Sequence, residues 1–377
     1  METPFIFGKL AMGDDFTNRT EEIIRLKNNF VSGINTIMIS PRRWGKSSLV
    51  EKASWIIMQE NKKIKIISID LFNVRSEEDF YRNLAEQVIR GTTTKLQEII
   101  SFTKNFFKQW IPKISFSPDH YQEFSLGLNW SEVKKQPDEI LDLPQQIARS
   151  KGWKIIICID EFQNIGFYSD TVAFQKQLRS HWQKHQDVSY CLFGSKRHML
   201  MQVFTSPSMP FYKFGDMMFI EKISTKDWEK YITERFRATG KEIAPEQSCR
   251  IAELVDNHPY YVQQLAQLCW LRCDHKMTGQ VIDQSLDSLT MQLSLLFQNL
   301  TESLSTTQVN YLRALIKEET RFSSKETIQK YQLGTSANVS RIKQALTDKE
   351  IIDTVQGTGV FLDPMFKIWL NKYYFPE

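Results

Sequence analysis

Residues 40–48 read SPRRWGKSS, and this stretch decides the fold that we expect for the chain. It follows a short apolar strand predicted over 36–39 and opens a helix predicted over 47–60. A glycine, a lysine and a hydroxyl residue at a helix start are typical of a loop whose backbone N–H groups surround phosphate. In such a loop Lys46 reaches the β- and γ-phosphates, and the Ser47 hydroxyl ligates Mg²⁺. The stretch therefore predicts a site for ATP and Mg²⁺.

The loop departs from the usual pattern GxxxxGK[ST] at one position. Ser40 stands where the first glycine is expected, which serine can replace if the local backbone angles are ordinary. Gly45 lets the backbone approach a phosphate closely. For Arg42 and Arg43 two roles stay open, contact with phosphate or a neighbouring subunit and contact with solvent or an acidic neighbour, while we expect Trp44 to pack on protein. The predicted nucleotide-binding residues of the loop are Ser40, Pro41, Arg42, Arg43, Trp44, Gly45, Lys46, Ser47 and Ser48.

Two later strands also end in polar residues. Residues 154–160 form the most apolar strand of the chain, and it ends in two carboxylates, Asp160 and Glu161. Asp160 can hold Mg²⁺ through water, and Glu161 can orient and deprotonate an attacking water. Ser195 follows another strand and can touch the γ-phosphate or that water, although a solvated loop explains it equally well. Since open parallel sheets bind ligands beyond the carboxyl ends of their strands, we expect these groups to lie close together.

Strands alternate with amphipathic helices through the first two thirds of the chain, which predicts an α/β fold with a mostly parallel sheet. Residues 91–137 interrupt this rhythm. We interpret them as an insertion that holds a helix near 96–110 and a hairpin formed by two short segments, 113–116 and 123–129.

The last part of the chain predicts helices and one hairpin. Three short helices, over 306–317, 325–331 and 336–349, precede two apolar segments joined by a turn, which is the pattern of a winged helix. We therefore divide the chain into a P-loop NTPase core (1–222, with the insertion at about 91–137), an all-α lid (223–298) and a C-terminal winged-helix domain (299–377).

Composition limits the classes of function. The chain has 377 residues, 24% of them charged, and a net charge of +4, which is too balanced to indicate nucleic-acid binding by bulk electrostatics. Its five cysteines include no CxxC pair, which favours free thiols in a reducing cytoplasm over disulfides or a zinc site. No apolar run approaches the roughly 18 residues needed to cross a bilayer. We expect a cytoplasmic protein without a membrane partner.

Five short motifs in this order resemble a known family. They are FTNR (16–19), SPRRWGKSSL (40–49), IDE (159–161), FGS (193–195) and HPYY (258–261). With the terminal winged helix they resemble, over nearly the whole chain, the AAA+-like ATPases of a predominantly archaeal family related to STAND and origin-recognition ATPases. The string around Gly45 is the most specific of the five.

The resemblance implies further site residues. Phe16 and Arg19 would lie beside the adenine and ribose, and Ser195 would be the first sensor of the γ-phosphate. His258 and Pro259 would sit in the helical lid and face the nucleotide, although the lid of the family often reads Gly-x-Pro. A basic finger that acts on a neighbouring subunit would have to be Arg197 or Lys213.

Two hypotheses for function remain. In the first, the protein hydrolyses ATP as a switch that couples its nucleotide state to movement of the lid and winged helix. In the second, bound ATP is not turned over, and the winged helix binds double-stranded DNA or a protein partner. The winged-helix region carries ten basic and nine acidic side chains, and its third helix has Arg341, Lys343 and Lys349 against Asp348. This charge leaves double-stranded DNA, a protein partner and a homo-oligomer open as partners.

Overall fold

The computed structural model describes residues 3–11, 13–93, 113–115, 125–127, 137–354 and 359–376. The backbone divides into two compact units. The sheet unit comprises Arg19–Arg42 and Lys46–Ile220, and the helical unit comprises Met1–Asn18, Arg43–Gly45 and Glu221–Glu377. Three residues of the predicted phosphate loop therefore belong to the helical unit.

The sheet unit contains a parallel β-sheet of five strands. Its described strands are, in chain order, β1 (Thr36–Ile39), β2 (Ile64–Asp70), β3 (Lys113–Ser115), β4 (Ser125–Gly127), β5 (Lys154–Asp160), β6 (Val188–Gly194) and β7 (Asp216–Phe219). The sheet has the order β2–β5–β6–β1–β7, and each neighbouring pair is parallel. β3 and β4 form a separate antiparallel pair. Because all five strands of the sheet run in one direction, their carboxyl ends lie along one edge, with β6 between β1 and β5.

Helices follow most strands of the sheet unit. They are α1 (Thr20–Ser32), α2 (Lys46–Glu60), α3 (Glu77–Thr92), α4 (Pro137–Lys151), α5 (Thr171–Trp182) and α6 (Arg197–Thr205), with a 3₁₀-helix at Phe162–Phe167. Side-chain caps begin two of them, since Ser76 accepts from the Asp79 N–H before α3 and Asp170 accepts from the Ala173 N–H before α5. The strands β1 and β6 are buried at every position, which explains their nearly continuous apolar sequences.

The helical unit consists of helices and one small hairpin. Its elements are α7 (Thr225–Ala238), α8 (Pro245–Leu254), α9 (Pro259–Arg272), α10 (Gly279–Gln292), α11 (Ser294–Glu302), α12 (Thr306–Ile316), α13 (Lys325–Lys330), α14 (Ser336–Asp348), β8 (Ile352–Asp353), β9 (Val360–Phe361) and α15 (Pro364–Trp369), with a π-helical turn at Leu370–Tyr374. β8 and β9 are antiparallel. Gly334, between α13 and α14, has a φ of 84°, a left-handed angle that glycine adopts without strain.

One hydrophobic core runs through the helical unit. It begins at the amino terminus, where Phe5 packs on Phe236 of α7, and continues to the end of the chain. Phe297 of α11 packs on Phe366 and Trp369 of α15, which bridges the predicted lid and winged helix. The division into three domains at 222 and 298 stays a prediction.

The parallel sheet and the three-helix-plus-hairpin pattern are confirmed by the structure. The two segments of the insertion also pair as an antiparallel hairpin, through β3 and β4, whereas its predicted helix at 96–110 lies outside the described residues. The sequence pattern did not predict α5, α6 or α15.

The apolar period of residues 280–296 predicts a single helix, but the structure has two helices there, which meet at Leu293. The Ser294 hydroxyl donates to the carbonyl of Thr290, whose own hydroxyl donates to the carbonyl of Leu286. Such side-chain bonds compete with the backbone ladder and disturb helices locally. No glycine or proline marks the junction, so the apolar period of the sequence runs through it without a signal.

Within the described parts of the chain, no helix combines the length and the apolar character that are needed to cross a membrane.

Candidate functional site

The predicted phosphate loop connects β1 to α2. Its backbone takes left-handed angles at Arg43 (φ 63°) and Gly45 (φ 88°), whereas Ser40 is not among the described residues with a positive φ. A side chain at position 45 would meet no atom within 4 Å in this conformation. The glycine is therefore required by its left-handed backbone angle and not by a lack of space. Ser40 is fully buried, and an ordinary backbone there allows serine in place of the first glycine.

Lys46 begins α2 and turns its side chain back over the loop. Its ammonium group donates to the carbonyl oxygens of Ser40 (3.2 Å) and Pro41 (2.9 Å), and the residue is buried. Lysine carries three donors on a flexible stem, so the same group can exchange neutral carbonyls for phosphate oxygens. A buried ammonium that donates to neutral carbonyls can attract an anion to this loop.

Ser47 and Asp160 connect the loop to the end of β5. The Ser47 hydroxyl donates to the Asp160 carboxylate over 2.8 Å, and the other oxygen of Asp160 accepts from the Glu161 N–H over 2.8 Å. Burial raises the pKa of Asp160, and the hydrogen bonds from Ser47 and Glu161 oppose that rise. A half-buried carboxylate with this desolvation penalty gains from a nearby cation.

The separation of these two oxygens fits Mg²⁺. Adjacent ligands around an octahedral Mg²⁺ with bonds of about 2.1 Å lie about 3 Å apart, and the Ser47 and Asp160 oxygens lie 2.8 Å apart. A hydroxyl and a carboxylate are both oxygen donors, the type that Mg²⁺ prefers. The pair could therefore share one ion, directly or with a water in between, without rearrangement of β5 or α2.

Glu161 follows Asp160 in a left-handed conformation, with a φ of 53°. Its carboxylate accepts from the Ser195 hydroxyl over 3.0 Å and from the side-chain amide of Gln163. Non-glycine residues in this region cost on the order of 1 kcal/mol or more and cluster at functional sites. The two donors fix the carboxylate at the carboxyl edge of the sheet, where it can orient a water molecule.

Gln163 is a residue of this site that the sequence analysis missed. Its amide holds Glu161, and the adjacent Gly194 leaves room for it, since a Cβ at position 194 would lie 1.9 Å from the Gln163 side-chain oxygen. The only sequence signal was a polar residue two positions after the carboxylate pair. Nothing in that spacing shows that the turn folds back toward the end of β6.

The residues assigned to adenine and ribose by resemblance lie in different units. Phe16 is half-buried in the helical unit, and Arg19 is buried in the sheet unit, where its guanidinium pairs with Glu22 over 2.9 Å. Their roles stay predictions.

His258 and Pro259 form the start of α9 in the helical unit. His258 is the N-cap residue, and Pro259 takes the first helical position, where a missing N–H costs nothing. Burial, together with the positive charges of Lys222 and Arg43, lowers the pKa of His258 to about 3. The imidazole is therefore neutral at physiological pH and lies near two cationic side chains.

The remaining loop residues differ in exposure. Arg42 is exposed, Ser48 is buried on α2, and Trp44 is half-buried with the Lys222 ammonium 5.9 Å from its ring centre. Arg43 lies with its guanidinium 4.6 Å from the ring centre of Tyr260, within the helical unit. The contact of Arg43 is thus an aromatic ring, a partner that the sequence analysis did not consider.

The two candidates for a basic finger lie in the sheet unit. Arg197 begins α6, with its guanidinium 5.9 Å from the ring centre of Phe219. Lys213 is exposed and has a left-handed φ of 52°. Their role toward a second subunit stays a prediction.

The sheet order, the loop after β1 and the terminal hairpin define an α/β fold of the P-loop ATPase type that ends in a winged helix. A family model described as a probable winged helix domain matches residues 295–372. No curated protein matches the chain at a significant level.

Two solved structures are similar to nearly the whole chain. A Walker-type ATPase of Pyrococcus abyssi has 18% identity and a TM-score of 0.69, over 98% of this chain and 99% of that one. The ORC1 protein of Aeropyrum pernix, in complex with DNA, has 13% identity and a TM-score of 0.50, over 94% of this chain and 90% of that one. At these identities the similarity shows the fold, and at that level the resemblance predicted from the motifs is confirmed.

The hydrogen bond between Ser47 and Asp160 generates a prediction about stability. Replacement of Ser47 by Ala leaves the half-buried carboxylate without one of its donors, which should lower the free energy of unfolding by about 1–3 kcal/mol. Ser47→Thr keeps a hydroxyl and serves as the matched control. Urea denaturation of the ligand-free proteins measures the difference, and equal stabilities of the Ala and Thr variants would contradict the contact.

His258 generates a prediction about pH. Because its folded-state pKa lies near 3 and an unfolded imidazole titrates near 6.5, the unfolded chain takes up the proton first on acidification. Between these values this group removes about 1.4 kcal/mol of stability per pH unit. The variant His258→Asn should therefore lose stability less steeply between pH 6 and pH 4.

Denaturation midpoints measured across that pH range test this expectation. The matched control is His275→Asn, which makes the same substitution at an exposed position of the same unit. Parallel slopes for the wild type and His258→Asn would show that this imidazole is not held neutral by burial.

Proposed function

We propose that the chain binds ATP with Mg²⁺ and hydrolyses it, as a nucleotide-dependent switch. The observation that carries the proposal is the 2.8 Å contact between the Ser47 hydroxyl and the Asp160 carboxylate. It joins the residue after the phosphate-loop lysine to the carboxylate at the end of β5. The similar fold of a Walker-type ATPase supports the same activity.

Each site residue has a role in this proposal. Lys46 binds the β- and γ-phosphates together with the N–H groups of the loop, and Ser47 and Asp160 hold Mg²⁺. When bound, the ion neutralises charge on the phosphates. Glu161, held by Ser195 and Gln163, orients the attacking water and accepts its proton. Ser195 reports on the γ-phosphate through the same hydrogen bond.

Adenine selectivity rests on the residues before α1 and at the start of α9. We assign Phe16 and Arg19 to the base and sugar, and His258 and Pro259 to the lid that faces the nucleotide. A neutral imidazole suits this position, because it can accept a hydrogen bond from the ligand without adding charge.

Glu161→Gln separates binding from chemistry. The variant keeps the shape of the side chain but cannot accept the proton, so ATP turnover should fall by roughly 10²-fold or more while the affinity for Mg-ATP is retained. Lys46→Ala should abolish nucleotide binding. Phosphate release and binding of a fluorescent ATP analogue measure the two properties.

Glu139→Gln, the same chemical change at an exposed position of α4, is the control and should behave as the wild type. A wild-type rate for Glu161→Gln means that the base is assigned wrongly. If the wild type binds Mg-ATP but shows no turnover at all, the protein is a nucleotide-bound scaffold instead of an enzyme.

The winged helix supports a second function, binding of double-stranded DNA. The exposed face of α14 presents Ser336, Ser340, Arg341 and Gln344, which are polar side chains able to contact phosphates or base edges. The similar ORC1 structure contains DNA. The near balance of charge in this region leaves contact with a protein partner or a second copy of the chain as the alternative.

Charge reversal at Arg341 tests the DNA function. Loss of one phosphate contact should weaken duplex binding on the order of tenfold at low salt and reduce the salt slope of log K by about 1. The control Lys62→Glu makes the same change at an exposed position of the sheet unit and should leave affinity unchanged. Fluorescence anisotropy at several salt concentrations measures both, and absence of duplex binding by the wild type would favour a protein partner.

A further inference from the structure

Arg43 of the phosphate loop has an aromatic partner outside the loop. Its guanidinium lies 4.6 Å from the ring centre of Tyr260, in the first turn of α9. Arg43 is exposed, so this cation–π contact is weak and is easily exchanged for another partner. In the chain, Arg43 precedes the phosphate-binding Lys46 by three residues.

Tyr261, the next residue of α9, connects this helix to Asp363. It is fully buried, its ring lies 5.3 Å from that of Tyr260, and its hydroxyl donates over 2.6 Å to Oδ2 of Asp363. Oδ1 of Asp363 accepts from the N–H groups of Met365 (2.9 Å) and Phe366 (3.1 Å). A single carboxylate therefore joins α9 to the amino terminus of α15.

The helix α15 is built into the winged helix. Phe366 is buried and packs on Phe361 of strand β9 and on Phe297 of α11, with ring centres 6.2 Å and 5.3 Å apart. These residues lie within the segment matched by the winged-helix model, 295–372. A change in the cap of α15 therefore acts on the wing of that domain.

The positive charge of Arg43 also influences the pKa values of Asp363 and Tyr261. Burial raises the pKa of Asp363, and the positive charge of Arg43 opposes that rise. The same guanidinium lowers the pKa of Tyr261, which burial and Asp363 raise overall. Removal of Arg43 from Tyr260 would weaken the electrostatic support of the capping carboxylate.

We propose that Arg43, Tyr260, Tyr261 and Asp363 transmit nucleotide occupancy of the phosphate loop to the winged helix through α15. The inference rests on the proposed function, because it requires a triphosphate at the loop. A charge-assisted bond to phosphate is stronger than an exposed cation–π contact, so bound ATP draws Arg43 away from Tyr260. The cap of α15 then loses its nearby positive charge, and the helix loosens.

The coupling is reciprocal, as linkage requires. If ATP must displace Arg43 from Tyr260, a variant without that ring should bind ATP more tightly. Because the contact is weak, we expect Tyr260→Leu to lower the Kd by two- to fivefold. Tyr261→Phe keeps the ring contacts but removes the hydrogen bond to Asp363. It should therefore uncouple α9 from the cap of α15 without a comparable change in ATP affinity.

Hydrogen exchange of the full-length protein tests the proposal. The Glu161→Gln background keeps ATP intact, and exchange of a peptide covering 363–370 is followed with and without Mg-ATP. In that background we expect Mg-ATP to speed exchange of the α15 amides severalfold. With Tyr260→Leu, exchange should already be fast without nucleotide and change little on binding. With Tyr261→Phe it should likewise not respond.

Tyr331→Phe is the matched control, since it removes a tyrosine hydroxyl from the same unit, one that contacts Glu319, and should keep the response. Binding of Mg-ATP without a change in α15 overturns this inference and leaves the proposed function standing. A full response in Tyr260→Leu overturns it as well. If no nucleotide binds, the proposed function fails first, and the inference falls with it.

Discussion

The hydrogen bond from Ser47 to Asp160 is the contact on which the candidate site depends. The two residues are 113 positions apart in the chain, and the order of the parallel sheet brings them together. β1 leads into the phosphate loop, β5 ends in the carboxylates, and β6 between them ends beside Ser195. A parallel sheet makes this arrangement possible because every strand delivers its last residue to the same edge. The burial that raises the pKa of Asp160 also limits its contact with water, so its charge depends on close partners.

Two non-glycine residues in the segments that form the candidate site carry backbone strain. Arg43 and Glu161 both take left-handed angles without being glycines. Each such residue costs free energy that ordinary packing must offset. At Glu161 the offset is visible, because Ser195 and Gln163 bond its carboxylate on the far side of the turn. At Arg43 the visible partner is the ring of Tyr260, which is a weaker constraint. The two strained positions therefore differ in rigidity, one held firmly and the other free to change partner.

The features that the sequence predicted are those that follow from the local residue pattern and from the shared direction of the strands. Lys154–Asp160 was recognisable because buried parallel strands are continuously apolar, and the loop after β1 because glycine, lysine and serine open a helix. Contacts between segments that lie far apart in the chain could not be predicted from the sequence pattern. Gln163 binds Glu161 only because Gly194 leaves space for its amide, and no spacing encodes that fit. The break between α10 and α11 was not predicted for another reason, since it falls within an uninterrupted apolar period, at a place where hydroxyl groups bond to the backbone.

The shared core of the helical unit explains why a small change at α15 can have a large effect. Phe297, Phe366 and Trp369 pack together, so the predicted lid and winged helix are not joined by a flexible linker at this point. Packed interiors do not deform continuously, and they respond to a local change by shifting between discrete arrangements. The capping residue of α15, Asp363, lies where that core meets the contacts that run from Arg43 through Tyr260 and Tyr261. The Asp363 carboxylate caps a helix and accepts a tyrosine hydroxyl, while burial disfavours its charged form. Its charge therefore depends on a few polar partners in an otherwise apolar setting. In the proposed coupling, this carboxylate is the point at which the charge of Arg43 acts on α15.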